Sequence, residues 1–152
     1  MSTGERLAAL GLTLPPVAAP VAAYVPAVRY GDLVQTSGQL PLVGGALTVT
    51  GKVGAGVSPE EATVAARTCA LNALAAVADL VGDLDEVVRV VKVTGFVASD
   101  PSFTGQPGIV NGASELLGEV FGDAGRHARS AVGVPVLPLD AAVEVELLVQ
   151  VR

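Results

Sequence analysis

The sequence predicts an α+β sandwich, a mixed β-sheet with two helices packed on one face. Three observations carry that prediction. Runs of β-branched residues at 86–99, 129–135 and 142–151 read as strands, and capped segments at 58–81 and 106–121 have helical apolar spacing. The elements also come in the order strand, strand, helix, strand, helix, strand, strand, which folds most simply as one sheet covered on one side. With 152 residues, the chain has room for one domain.

Residues 1–20 read as an N-terminal extension with a Pro-rich, extended crossing at Leu14-Pro15-Pro16, and 21–152 as the domain. Val21–Val28 and Leu33–Ser37 flank the turn-like Tyr30-Gly31-Asp32 and form a hairpin. A Gly-rich loop follows (Gly44, Gly45, Gly51, Gly54, Gly56), with a short strand at Ala46–Thr50. Ser58-Pro59-Glu60-Glu61 then starts a helix: Ser58 caps the free amides, Pro59 suits the first helical position and Glu61 completes a capping box. That helix runs to about Val81 and stops at Gly82, with a small inner stripe of Ala62, Ala65, Ala66, Cys69, Ala73 and Ala76. Glu86–Ser99 is apolar on both alternating faces, so it is expected to be buried on both sides. The second helix spans about Gln106–Phe121, with Ile109, Val110, Ala113, Leu116, Leu117, Val120 and Phe121 inward and Gly122 as its stop. Strands at about Arg129–Pro135 and Ala142–Val151 complete the sheet.

Composition says what the uncovered face of the sheet does. Hydrophobic residues make up 51% and charged ones 16%, with mean hydropathy +0.58. That is too apolar for one sheet face to stand in water, so burial is expected against a membrane or against other subunits. The longest apolar stretch, Leu10–Val28, is interrupted by Pro15, Pro16, Pro20 and Pro26, each costing about 3 kcal/mol in a helix. Subunit contact is therefore the expectation, with no membrane span and no signal peptide. A net charge of −6 and nine scattered Lys+Arg offer no basic stripe for nucleic acid. One cysteine and one histidine leave no zinc cluster, and a lone Cys69 suits a reducing, cytoplasmic setting.

Strand alternation picks out the candidate chemistry. Val143, Val145, Leu147, Val149 and Val151 share one face of the last strand, and Glu144, Glu146, Leu148 and Gln150 share the other. If Val132 and Val134 look toward the helices, Arg129 emerges with Glu144 and Glu146 on the subunit-contact face. Two readings of Arg129 stay open: an Arg–Glu structural pair between chains, or a planar fork offered to a ligand carboxylate. Gly51-Lys52-Val53-Gly54 lacks the spacing of a phosphate loop. His127 reads as a surface or interface histidine, Cys69 as a buried inert thiol, and Tyr24 as an interface or pocket-wall aromatic.

Leu33-Val34-Gln35-Thr36-Ser37-Gly38-Gln39-Leu40-Pro41 resembles the signature strand of the RidA/YjgF family. Ala128-Arg129-Ser130-Ala131-Val132, then Leu137-Pro138 and Ala142-Val143-Glu144-Val145-Glu146, resemble its C-terminal signature. The similarity runs from about residue 20 to 151 and looks like the family's longer branch, of roughly 150 residues. It implies a chorismate-mutase-like fold and a homotrimer with clefts between subunits. It further implies hydrolysis of 2-imino acids, released as enamines, to 2-oxo acids and ammonia, and since an imine carbon is already electrophilic this chemistry is expected to need no metal or cofactor. By the same resemblance Arg129 grips the substrate carboxylate, Glu144 or a nearby carbonyl positions the hydrolytic water, and Tyr24, Ser37, Gly38 and Asn111 line the cleft.

The chain departs from that pattern at His127, where members often have proline, and at Ala131, where a cysteine frequently follows. Gly112 and Ala113 stand where aromatic residues are usual. Three functions follow as expectations: an imine/enamine deaminase, a small-carboxylate-binding or regulatory protein on the same scaffold, and, more remotely, an endoribonuclease.

Overall fold

A computed structural model describes residues 1–20 and 22–152. Its elements run α1 (Thr3–Ala9), β1 (Ala27–Tyr30), β2 (Leu33–Thr36), β3 (Leu42–Val43), β4 (Ala46–Leu47), α2 (Pro59–Val81), β5 (Val87–Ala98), α3 (Gln106–Phe121), β6 (Ala128–Val134) and β7 (Val143–Val151). The caps act as the local sequence predicts. Ser58 Oγ accepts from the Glu61 amide at 3.1 Å while the Glu61 carboxylate accepts from the Ser58 amide at 3.0 Å. Such a cap contributes about 1 kcal/mol. The small inner stripe of α2 is buried throughout.

Five strands form one sheet in the order β1-β2-β7-β5-β6, with β5 and β6 parallel and the other pairs antiparallel. Both long helices lie on one face of it. Two glycines set how deeply α3 settles. A Cβ at Gly112 would sit 2.1 Å from the Thr63 carbonyl oxygen of α2, and one at Gly95 would sit 2.5 Å from a Val110 methyl. Both close approaches bring the exposed turn of α3 down over β6, which matters for the site. By length and composition the 23-residue α2 could cross a bilayer, yet its small face is buried against the sheet and α3, as in a core helix.

Several expectations change. The first hairpin strand begins at Ala27; Ala22–Pro26 carry no strand, and Val21 lies outside the described residues. Pro26 has no amide to give a ladder. The strand expected at Ala46–Thr50 is only β4, which pairs with β3 around Gly44-Gly45, both at positive φ, while Thr50 makes a single bridge to Ala141. The extension contains a helix that periodicity missed. Ser2 and Glu5 form a capping box, Thr3 donates to Asp85, and Leu7 enters the core. Within one chain β5 is buried mainly on its helix side, with Ala98 at its end the buried residue of the other face. Val87, Val90, Val93 and Val97 are covered, whereas Val88 and Lys92 are exposed and Phe96 is half-buried.

Candidate functional site

The loop after β2 carries the first cluster. The Ser37 amide donates to Pro26 O at 2.8 Å and its hydroxyl to Val25 O at 2.6 Å, which draws the 22–26 segment against the sheet. Gln39 and Val145 then exchange both backbone bonds, at 2.8 and 3.0 Å, fixing Gly38 beside Glu144. Tyr24, Ser37, Gly38 and Glu144 together line a cavity of about 380 Å³. Apart from Gln39 the rest of its wall is apolar, including Ala18, Ala19 and Pro20 of the extension, Leu40, Leu42 and Pro138, and Glu144 is its one charged residue. Burial, reinforced by Glu146 on the same face, holds the Glu144 carboxyl above the ordinary carboxylate range.

Arg129 lies elsewhere. Val93 of β5 pairs with Arg129 in β6 and with Leu147 in β7, so these three side chains project to one face, the helix side. Glu144 pairs with Phe96, which pairs with Val132, on the opposite face. The expected sharing of a face by Arg129 and Glu144 is therefore corrected. Its premise was inverted: Ala131 packs on the core, while Val132 is 44% exposed. Alternation says which residues share a side; it does not say which side is inside.

On that side Arg129 meets the exposed turn of α3. Nη1 donates to Asn111 Oδ1 at 2.7 Å and to Ser114 Oγ at 3.2 Å, and Nη2 donates to the Pro107 carbonyl at 3.2 Å. All three acceptors are neutral. Among the described residues no carboxylate forms an ion pair with Arg129; the ion pairs are Lys52–Asp140, Arg67–Glu119 and Arg126–Asp123. The guanidinium is held in place with its charge uncompensated and two hydrogens unspent, one on Nε and one on Nη2. Two donors are the number a carboxylate takes in a bidentate bond.

The six candidate residues thus fall into two clusters, Tyr24–Ser37–Gly38–Glu144 and Asn111–Arg129. Lys52 is tied to Asp140 at 3.0 Å, in keeping with a structural lysine, and Cys69 is buried with its thiol pushed up by desolvation. Among the described residues no group of His, Cys, Asp and Glu could hold a metal ion. Sequence reasoning passed over Asn72 and Ser114, and it read His127 only as a surface or interface histidine. Asn72 Nδ2 donates to the carbonyls of Leu40 and Leu42, both at 3.0 Å, and so shapes the cavity wall. Its signal was available, a lone amide on the apolar stripe of α2.

The family profile described as "YjgF/chorismate_mutase-like, putative endoribonuclease" matches residues 4–151, extension included. The chain is 50% identical over 150 residues to Protein TCP17 of Trypanosoma cruzi, covering 97% of this chain and 92% of that one. Among solved structures, Atu1372 of Agrobacterium tumefaciens superposes with TM-score 0.91 at 48% identity, covering 99% and 92% of the two chains. A Shewanella oneidensis MR-1 protein bearing the same endoribonuclease label superposes at 0.96 with 36% identity, covering 99% and 100%. The YjgF gene product of E. coli superposes at 0.63 with 26% identity, covering 91% and 94%.

Proposed function

This chain belongs to the YjgF/chorismate mutase-like family, and from that premise we propose that it hydrolyses small 2-imino acids to 2-oxo acids and ammonia. The site forms between copies of the chain, in a homotrimer. Arg129 and Glu144 lie on opposite faces of one sheet, so a cleft that uses both joins Arg129 of one copy to the Glu144 cavity of another. The open sheet face, with Val28, Tyr30 and Val132 exposed, supplies apolar area for such an assembly.

The single observation that carries this reading is the uncompensated, pre-oriented guanidinium of Arg129 with two donors to spare. It binds the carboxylate side-on. Water adds to the electrophilic imine carbon while Glu144 takes one of its protons and passes it to the imine nitrogen, giving the carbinolamine. Glu144 then takes the carbinolamine hydroxyl proton and delivers it to the leaving nitrogen, so that the C–N bond breaks, the ketone forms and ammonia departs. A carboxyl held above its usual range is a better base than an exposed one. The apolar wall of Ala18, Ala19, Pro20 and Leu40 favours an aliphatic substrate side chain.

The test couples purified protein to a threonine dehydratase and follows 2-imino acid decay with a scavenger. Acceleration by the wild type, lost in Arg129→Ala, supports hydrolysis. Tight 2-oxobutanoate binding without acceleration assigns the cleft to a binding or regulatory role. RNA cleavage, the reading that the family description carries, has the net charge of −6 against it. It gains ground only if RNA is degraded by the wild type and spared by Arg129→Ala.

A further inference from the structure

His127 is the one histidine of the chain, and both of its ring nitrogens are engaged. Nδ1 lies 2.6 Å from the Gly125 carbonyl oxygen, and Nε2 lies 2.9 Å from Ser114 Oγ. A carbonyl oxygen only accepts, so Nδ1 carries a hydrogen. In the neutral ring Nε2 is then an acceptor, and the Ser114 hydroxyl donates to it. With its hydrogen committed, Ser114 turns a lone pair to Arg129, whose Nη1 donates at 3.2 Å. The same Nη1 reaches Asn111 at 2.7 Å.

We propose that His127 is a positioning residue that works through Ser114: by taking the serine's hydrogen, it keeps Oγ an acceptor and fixes the plane of the Arg129 guanidinium. The purpose served rests on the reading of Arg129 as an anion grip; the proton arrangement does not. A helical serine or threonine commonly returns its hydroxyl to the carbonyl four residues back. Thr63 and Thr68 of α2 do so, at 2.7 and 3.3 Å. Ser114 instead spends its hydrogen on the imidazole. Were Nε2 protonated, Ser114 would receive hydrogens from both neighbours and lose the partner for its own.

Because there is one histidine, its ring signals need no assignment by mutation. Long-range ¹H–¹⁵N spectra at a pH where imidazole is neutral are expected to show Nδ1 protonated and Nε2 bare, the reverse of the tautomer free histidine prefers. Two substitutions then separate positioning from packing. His127→Gln places an amide oxygen near the Nε2 position and keeps an acceptor for Ser114; His127→Asn keeps a donor toward Gly125 and leaves Ser114 without one. Asn is expected to weaken 2-oxobutanoate binding about tenfold, as is Ser114→Ala, while Gln stays within about twofold. The double variant His127→Asn/Ser114→Ala should cost no more than either single one. An Nε2–H tautomer, or equal losses in Asn and Gln, overturns the proposal. If the wild type binds no 2-oxobutanoate, the anion grip fails. The positioning role is then judged on the Arg129 guanidinium NMR signals, expected resolved in the wild type and averaged in His127→Asn; averaged signals in both would also overturn it.

Discussion

Gly38 and Glu144 approach so closely that a Cβ on the glycine would stand 2.7 Å from the carboxyl carbon and 3.0 Å from an oxygen. The obstructed atoms are the end of a flexible side chain, so the fold can yield by swinging Glu144 away. Gly38→Ala is therefore expected to cost about 1 kcal/mol of stability or less, yet to lower imine hydrolysis about tenfold or more through a displaced carboxylate. Urea unfolding beside the coupled assay checks both. A variant with unchanged rate would remove Glu144 from the mechanism.

Glu144 itself links function to pH. Burial first and Glu146 second raise its carboxyl in the folded chain. The folded state then holds the proton more tightly than the unfolded state. Stability accordingly falls as pH rises from the ordinary glutamate value, 4.5, through the raised folded one. Glu144→Gln carries no such cost. Its melting temperature should equal or exceed that of the wild type at pH 7.5, with the gap closing by about pH 4, below the unfolded value. A variant that melts lower at pH 7.5 would show that the ionised carboxylate is stabilised in place.

The contrast between these residues and Arg129 shows what the sequence could disclose. Both long helices were legible because their ends are written locally: the Ser58–Glu61 box, Pro59, Gly82 and Gly122 act within one turn. The box formed by Ser2 and Glu5 was equally local, but seven residues are too few to hold a helix alone, and α1 depends on Leu7 and Asp85. The alternation of β6 was legible too, but its inside face was not. Ala131 and Val132 both suit a core, and the choice is made by Val93, 36 positions from Arg129 in sequence, through strand pairing. The contacts among Ser114, His127 and Arg129 exist only once α3 and β6 have met.

Asn72 is 4% exposed, and both its amide hydrogens bond carbonyls of the cavity wall. Truncation to alanine leaves the Leu40 and Leu42 oxygens short of those bonds, at an expected cost of about 1–3 kcal/mol. Asn72→Asp should be worse, since a carboxylate turned to two carbonyl oxygens has nothing to donate. Chemical denaturation ranks the three proteins. Asp as stable as wild type would mean that the loop holds without the amide.

Finally, the opposed faces of Arg129 and Glu144 make a prediction that needs no ligand-bound structure. In the proposed homotrimer, Arg129→Ala and Glu144→Gln should each be inactive when pure. When they are mixed in one assembly, the glutamine chain brings an intact Arg129 and the alanine chain an intact Glu144. Every mixed ring of three then contains one boundary where the two intact residues meet. Random mixing in equal amounts makes about three quarters of the trimers mixed, with one repaired cleft in three, so about a quarter of wild-type activity should return. Co-expression with two affinity tags isolates the mixed species, in which the recovered share rises to about a third. Mixed trimers as inactive as the parents would place both residues' work within a single chain, which the sheet register forbids, and the shared-cleft mechanism would fall with them.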